Sequence, residues 1–205
     1  LNLYDATVCY NFDDDVVDEC GGYDGSLQGG ATYDVSSPFA SGKSVYFDGT
    51  NDYFDTNFQN MYVDKNWTIC FWTNTTGTTE QDYFFGSDDD GNITAMAWHG
   101  EFTDNDYKVY TMGNGDNDEI VGDFPETYLN STKWKHVCVT SNGTGADSLE
   151  VYINATIVTT DTTADNDRQH TKLTVDLWFG ALNRDDGIIN PLEMWLDDLL
   201  IWNNT

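Results

Sequence analysis

The groups in this sequence with the greatest capacity for chemistry are its carboxylates, 36 Asp and Glu against 8 Lys and Arg, for a net charge of −28. Clustered carboxylate oxygens are what hard cations such as calcium take as ligands. Charge of this size also opposes the compact state by self-repulsion unless cations screen it or bind. Two compatible readings follow: a solvated acidic surface suited to salty surroundings, or one in which some carboxylates are calcium ligands. Strand alternation singles out one carboxylate. In Leu196-Asp197-Asp198-Leu199-Leu200-Ile201-Trp202, Asp197 shares a face with Leu199 and Ile201, and so is predicted to point toward the core. A lone buried carboxylate is costly unless it is paired, bound to metal or accepts backbone hydrogen bonds. On the opposite face, Leu196, Leu200 and Trp202 flank Asp198 as an apolar stripe where a free domain would show polar residues. Loops or a second copy of the chain would have to cover it.

Other reactive types form no catalytic pattern. His99, His136 and His170 lack metal-ligand spacing, no Gly-x-Ser-x-Gly elbow occurs, and no cysteine is matched with a base. The four cysteines allow three pairings. Cys9 and Cys20 flank the turn-like run Asp13-Asp-Asp15. Cys70 and Cys138 sit in matching strand contexts, Trp67-Thr-Ile-Cys70-Phe-Trp72 and Trp134-Lys-His-Val-Cys138-Val-Thr140. Pairing Cys9 with Cys20 and Cys70 with Cys138 is the expectation, against four free thiols in a cytosolic protein. Disulfides place a chain outside the reducing cytosol.

Glycosylation acceptors point the same way. Asn66, Asn74, Asn92, Asn130, Asn142, Asn154 and Asn203 each begin an Asn-x-Thr sequon without proline at the middle position. Most fall at strand ends or turns, where N-linked glycans could project, so a secreted glycoprotein is expected. The chain opens Leu1-Asn-Leu-Tyr with no signal-peptide pattern, which suggests numbering that starts after processing or inside a longer polypeptide. No apolar run approaches transmembrane length, so direct membrane insertion is not expected. With so few basic residues, phosphates could not be neutralised, which excludes nucleic acid as a partner and disfavours anionic membrane surfaces.

The elements that must position these groups read as short alternating strands between Gly, Asn and Asp turns. Strands are predicted at Thr7–Phe12, Val45–Phe47, Tyr53–Asp55, Thr68–Asn74, Tyr83–Ser87, Ile93–His99, Lys108–Met112, Lys135–Ser141, Ser148–Ile153, Leu173–Ala181 and Met194–Trp202. Asp104–Asp106, Gly113–Glu119 and Thr159–Asp167 read as surface loops, and no helix of any length can be placed. A single all-β domain, a two-sheet antiparallel sandwich or jelly roll, is the architecture this pattern implies.

The landmarks also follow a family order. They run from Tyr10-Asn-Phe12-Asp13 through Gly42-Lys-Ser-Val-Tyr-Phe47-Asp48-Gly49-Thr-Asn-Asp52-Tyr53 to Trp67–Trp72 and Trp134–Thr140. Leu149-Glu-Val-Tyr152-Ile-Asn, the Phe179-Gly-Ala181 turn and the closing Leu196–Trp202 strand complete the set. This order resembles the laminin-G-like, concanavalin A-like jelly rolls, in particular their pentraxin-like branch, over about Tyr10 to Trp202. The resemblance implies an extracellular binding or adhesion domain, with Cys70 and Cys138 where pentraxins carry their disulfide. The fold hosts many functions, so it does not fix a ligand.

The resemblance also implies sites. Pentraxin-like calcium loops correspond here to Asp88-Asp-Asp90-Gly-Asn92 and Asn183-Arg-Asp185-Asp186, though the second carries an Arg and lacks the usual acidic run. A glycan on Asn92 would bar that residue as a ligand. Related jelly rolls hold a structural calcium beside the last strand, for which Asp197, Gly49 and the Asp13–Asp15 run are the candidates. Trp72, Trp98 and Tyr83 are candidate sugar platforms, with Asp90 and Asn183 as nearby hydrogen-bonding groups. Glycanases of this fold use a Glu-x-Asp-x-Glu string on one strand face, and Glu193-Met-Trp-Leu-Asp197-Asp198 has the wrong spacing, so no enzyme activity is expected. Two functions follow: a structural or adhesive subunit of an extracellular coat, fibre, appendage or virion surface that packs against itself, or a calcium-dependent module that recognises glycans or glycoproteins. The sequons and the last-strand stripe favour the first, the acidic loops the second.

Overall fold

The computed structural model describes residues 5–75, 82–89, 94–100, 106–112, 119–129, 131–143, 149–164, 172–185 and 187–204. Its strands, numbered in chain order, begin with β1 (Val8–Tyr10), β2 (Ser26–Gln28), β3 (Thr32–Asp34), β4 (Ser44–Asp48), β5 (Tyr53–Asp55) and β6 (Asn66–Thr75). They continue with β7 (Tyr83–Asp89), β8 (Thr94–Gly100), β9 (Asp106–Met112), β10 (Glu119–Pro125), β11 (Ser131–Asn142) and β12 (Leu149–Ile153). The last are β13 (Thr156–Ile157), β14 (Thr160–Ala164), β15 (Trp178–Phe179), β16 (Leu182–Arg184), β17 (Gly187–Ile189) and β18 (Glu193–Asn204). A 3-10 turn, Glu126–Tyr128, follows β10.

These strands form two sheets. Sheet 1 runs β13-β12-β11-β6-β18-β4-β3, with β1 also pairing β18; sheet 2 runs β14-β10-β9-β8-β7-β15-β5-β2, with the β16–β17 hairpin attached to β7. Pairing is antiparallel except for β16 on β7. The result is the two-sheet antiparallel sandwich that the alternation predicts. β18 is the spine of sheet 1: it pairs β6 along its length, β4 through Glu193–Leu196 and β1 through Leu199–Ile201.

One core fills the space between the sheets. Sheet 1 contributes Val8, Val45, Phe47, Ile69, Phe71, Val137, Val139 and Val151; sheet 2 contributes Phe54, Phe85, Met96, Trp98, Val109 and Phe179. Phe71 meets Phe179 edge-on at 5.6 Å, and Trp98 stacks on Phe84 at 4.5 Å. Such aromatic pairs add to the burial that drives the sheets together. Gly49 turns the chain from β4 toward β5 with φ of 75°, and a Cβ there would sit 3.0 Å from the backbone nitrogen of Glu193. Only glycine fits that turn without strain.

Both expected disulfides are present. Cys9–Cys20 closes a loop beside β1, and Cys70–Cys138 joins directly opposite residues of β6 and β11 within sheet 1. The predicted strands do not include β2, β3, β10, β13, β14, β16 or β17. Thr159–Asp167, read as a loop because it is polar and Thr-rich, contains β14, which pairs with β10 as an edge strand. An edge strand has one open side and can be polar throughout. Conversely, the pattern predicts one strand over Leu173–Ala181, but within it only Trp178–Phe179 forms a strand.

Candidate functional site

The last strand does not alternate evenly. Register in the β18–β6 pair shifts between Asp197 and Leu200, and Asp198 has φ of 46°. One residue is thereby added to β18, which reverses the side-chain phase. Met194 and Leu196 point into the core before the bulge, Leu199 and Ile201 after it. Asp197 is opposite Trp72, so both lie on the outer face of sheet 1. Two expectations are corrected by this bulge. Asp197 is buried but not in the core, and Leu196 is a core residue with no exposed surface and so takes no part in an outward stripe. Leu200, partly exposed, and Trp202 remain on that face.

Asp197 is nonetheless only 2% exposed. Ser37 Oγ donates to its Oδ2 at 2.9 Å and the Asp198 N–H to its Oδ1 at 2.9 Å. Desolvation pushes its carboxyl up to about 7, with the charges of Asp198 and Asp13 adding to the effect and the two hydrogen bonds opposing it. Asp198 is raised too, by burial and by the charges of Asp13 and Glu19. Asp13 Oδ1 accepts the Lys43 N–H at 2.7 Å. A methyl on Gly42 would lie 3.1 Å from that Oδ1 and 3.3 Å from Ser37 Oγ. Asp13, Ser37, Asp197 and Asp198 therefore converge as an all-oxygen donor set with surplus negative charge, the chemistry a hard cation takes. Gly49 does not join them. It packs on Glu193, four strand residues from Asp197, about 13 Å at the usual rise.

A cleft of about 510 Å³ opens beside this group, between the Cys9–Cys20 loop and β18. It is lined by the polar residues Asn11, Glu19 and Asp198 and by Tyr10, Leu200 and the Cys9–Cys20 disulfide. Asn11 Nδ2 donates to Glu19 Oε1 at 2.7 Å, which holds both side chains at the rim. The loop is ordered by Asp18, whose carboxylate accepts the N–H groups of Cys9, Cys20, Gly21 and Tyr23 at 2.9–3.0 Å. Burial raises its pKa, but those backbone bonds prevail and leave it below the usual value. Sequence reading missed Asp18; its position two residues before Cys20 was the available signal.

Other expected site residues are placed elsewhere. Asp88 Oδ2 accepts a charged hydrogen bond from Arg184 Nε at 2.7 Å, so a guanidinium stands where the pentraxin-like reading expected calcium. Asp185 is exposed at the β16–β17 turn with φ of 50°, and its N–H donates to the backbone oxygen of Asp88. Asp90, Asn92, Asn130 and Asp186 lie outside the described residues. Trp98 is fully buried in the core and cannot serve as a sugar platform. Tyr83 is also buried, packed with Ala97, Tyr110 and Leu182 under the β16–β17 hairpin. Asn183 is buried, its Nδ2 donating to the Asp176 carbonyl at 2.9 Å, so it is structural. Of the proposed platforms only Trp72 is partly exposed, with Phe39 at 5.8 Å and His136 at 5.1 Å. Cys70, His136 and Cys138 lie within ligand distance of one another, but both sulfurs are in the disulfide and are not thiolate ligands.

Comparison with known proteins gives the same architecture. Domain 4 of an extracellular arabinanase from Geobacillus stearothermophilus, solved with arabinotriose, superposes with a TM-score of 0.67 at 16% identity, covering 99% of this chain and 94% of that domain. The binding domain of Paraclostridial Mosquitocidal Protein 1 matches at a TM-score of 0.70 and 16% identity, over 100% of this chain and 50% of that one. The binding domain of botulinum neurotoxin DC, in complex with SialylT, matches at 0.62 and 17%, over 97% and 47%. The chain thus spans about half the length of these toxin binding domains. No curated protein sequence matches significantly. The laminin G-like family model, described as the concanavalin A-like lectin/glucanases superfamily, matches residues 48–205. The chain belongs to that superfamily.

Proposed function

We propose that this protein is a non-catalytic extracellular module that recognises a glycan in the cleft between the Cys9–Cys20 loop and β18. The observation that carries the proposal is the cleft itself: the polar Asn11, Glu19 and Asp198 line it together with Tyr10, Leu200 and the Cys9–Cys20 disulfide, beside a loop braced by that disulfide and Asp18. A few fixed polar groups among apolar ones is the usual form of a small-ligand site. Structural relatives solved with arabinotriose and with SialylT support a sugar as the ligand class. Two carboxylates at the rim, in a chain of charge −28, select neutral or amine-bearing sugars over carboxylated ones.

Calcium fits beside the cleft. Asp13, Ser37, Asp197 and Asp198 would hold it, and the ion would neutralise their mutual repulsion and fix Asp198 at the cleft wall. The disulfides and sequons support secretion, with N-linked glycans attached. The competing reading, a self-assembling coat or fibre subunit, keeps only Leu200 and Trp202 of its expected stripe, because Leu196 is in the core.

A glycan array probed with the secreted chain, with calcium and then with a chelator, tests the proposal. Binding to neutral or amino sugars that is lost in Glu19→Ala and Asp198→Asn supports it. A chain that binds no glycan and sediments as a large homo-oligomer in both conditions overturns it in favour of the structural subunit.

A further inference from the structure

We infer that the Trp72, Trp195 and Tyr46 end of the outer face of sheet 1, away from the cleft, is covered by the chain's own N-linked glycan, with the sugar on Asn74 seated between Trp72 and Trp195. The inference does not rest on glycan recognition in the cleft.

Directly opposite residues in neighbouring antiparallel strands share a face, so the register maps that surface row by row. Its central row is Tyr152, Cys138, Cys70, Leu200 and Cys9. On one side the next row is Thr140, Thr68 and Trp202, and beyond it lie Asn142 and Asn66, opposite each other. On the other side the next row is His136, Trp72 and Asp197, followed by Asn74, Trp195 and Tyr46. Asn154 follows Ile153 in the same register and so stands opposite His136, whose N–H its Oδ1 accepts.

Among the sequon asparagines that are described, Asn66, Asn74, Asn142 and Asn154 thus all belong to this one face, at both of its ends and along the β12 edge. Asn66, Asn142 and Asn154 are exposed, and no hydrogen bond engages the side-chain amide of Asn66, Asn74 or Asn142. Asn203 is the exception and makes the contrast. It has the opposite, inward parity, opposite Trp67, and its Nδ2 donates to the Asn60 carbonyl at 2.5 Å.

The occupied surface suits a sugar. Trp72, Trp195 and Tyr46 are partly exposed, with Tyr46 and Trp195 at 4.6 Å. Two residues apart on one strand, Trp72 and Asn74 project side by side, and Trp195 stands directly across from Asn74. The C–H face of N-acetylglucosamine packs against such rings while its hydroxyls stay in water, so a glycan covers apolar area without leaving a polar group unsatisfied. A second copy would instead bring another −28 charge against this one. Attachment follows ordinary chemistry: Asn74 Nδ2 attacks C1 of a lipid-linked oligosaccharide diphosphate, the N–C1 bond forms, the C1–O bond to phosphate breaks, and the amide loses one proton.

The test uses the full chain secreted from eukaryotic cells, with glycopeptide mass spectrometry followed by trimming to one N-acetylglucosamine per site. Asn74 is expected to be occupied, at least one of Asn66 and Asn142 likewise, and Asn203 bare. The single sugar at Asn74 should raise Tm by about 2–4 °C over Asn74→Gln, and this increment should vanish when both are made in a Trp72→Ala background. If Trp72→Ala is not secreted, iodide quenching of tryptophan decides: the glycosylated chain should be quenched less than Asn74→Gln. A bare Asn74, an increment unchanged by Trp72→Ala, or equal quenching would overturn the inference, as would dimerisation through this face.

Discussion

Asp197 of β18 stands opposite Trp72 of β6 on the outside of sheet 1, although even alternation would have put it in the core. The residue added at Asp198 makes that difference, and it also gathers Asp197, Asp198 and Asp13 beside Ser37. The neighbouring Lys43 ammonium pairs with Asp14, and calcium is the proposed counter-ion for Asp13, Asp197 and Asp198.

The first prediction follows from that charge. Calcium at 100 times its dissociation constant should stabilise the wild-type chain by about 2.7 kcal/mol. Asp197→Asn should abolish that gain. In chelator the same variant should be no less stable than wild type, because it removes a desolvated carboxylate and keeps a partner for Ser37. Calorimetry with calcium and with chelator measures both effects; an equal calcium gain in the two proteins refutes this site.

Asp18 tests the loop that shapes the cleft. Its carboxylate is the shared acceptor for four backbone N–H groups. Asp18→Ala leaves those donors unmatched, at a cost of about 2–4 kcal/mol given the penalty for buried unsatisfied groups. Urea denaturation reads the loss. A change below about 0.5 kcal/mol would mean that water replaces the carboxylate without penalty.

His136 provides a pH handle. Burial beside the Cys70–Cys138 disulfide and Trp72 holds its imidazole below the usual 6.5. The folded state then binds fewer protons than the unfolded one. Its contribution is complete above the unfolded pKa of about 6.5 and is lost as pH falls through the depressed folded value. Wild type should therefore lose more stability than His136→Gln between about pH 7 and pH 5. Identical pH profiles would show that the ring is solvated in both states.

Much of this fold was legible because period-2 alternation is strong wherever one face is buried. Thr68–Asn74 and Lys135–Ser141 lie within β6 and β11, and the cysteines at their centres are paired. Polar edge strands such as β14 gave no such signal. The site was less legible for a different reason. A bulge at Asp198 has no apolar signature, so one inserted residue exchanged the faces assigned to Leu196 and Asp197. Trp98 and Tyr83 failed as platforms because an aromatic strand residue reads alike whether its face meets the other sheet, as Trp98 does, or a covering hairpin, as Tyr83 does.

That exchange of faces makes the sharpest prediction. Leu196 is enclosed between Met194 and the core aromatics, whereas Leu200 lies on the outer face against the cleft. Leu196→Ala removes a fully buried leucine, at about 2–5 kcal/mol, the range for such sites. Leu200→Ala removes a partly exposed side chain and should cost less than about 1.5 kcal/mol, with its larger effect on whatever occupies the cleft. Even alternation through β18 would put both leucines on one face and so predicts similar losses. Urea unfolding of the two variants therefore decides whether the bulge exists in solution: a Leu200→Ala loss as large as that of Leu196→Ala would remove it, and with it the convergence of Asp13, Asp197 and Asp198.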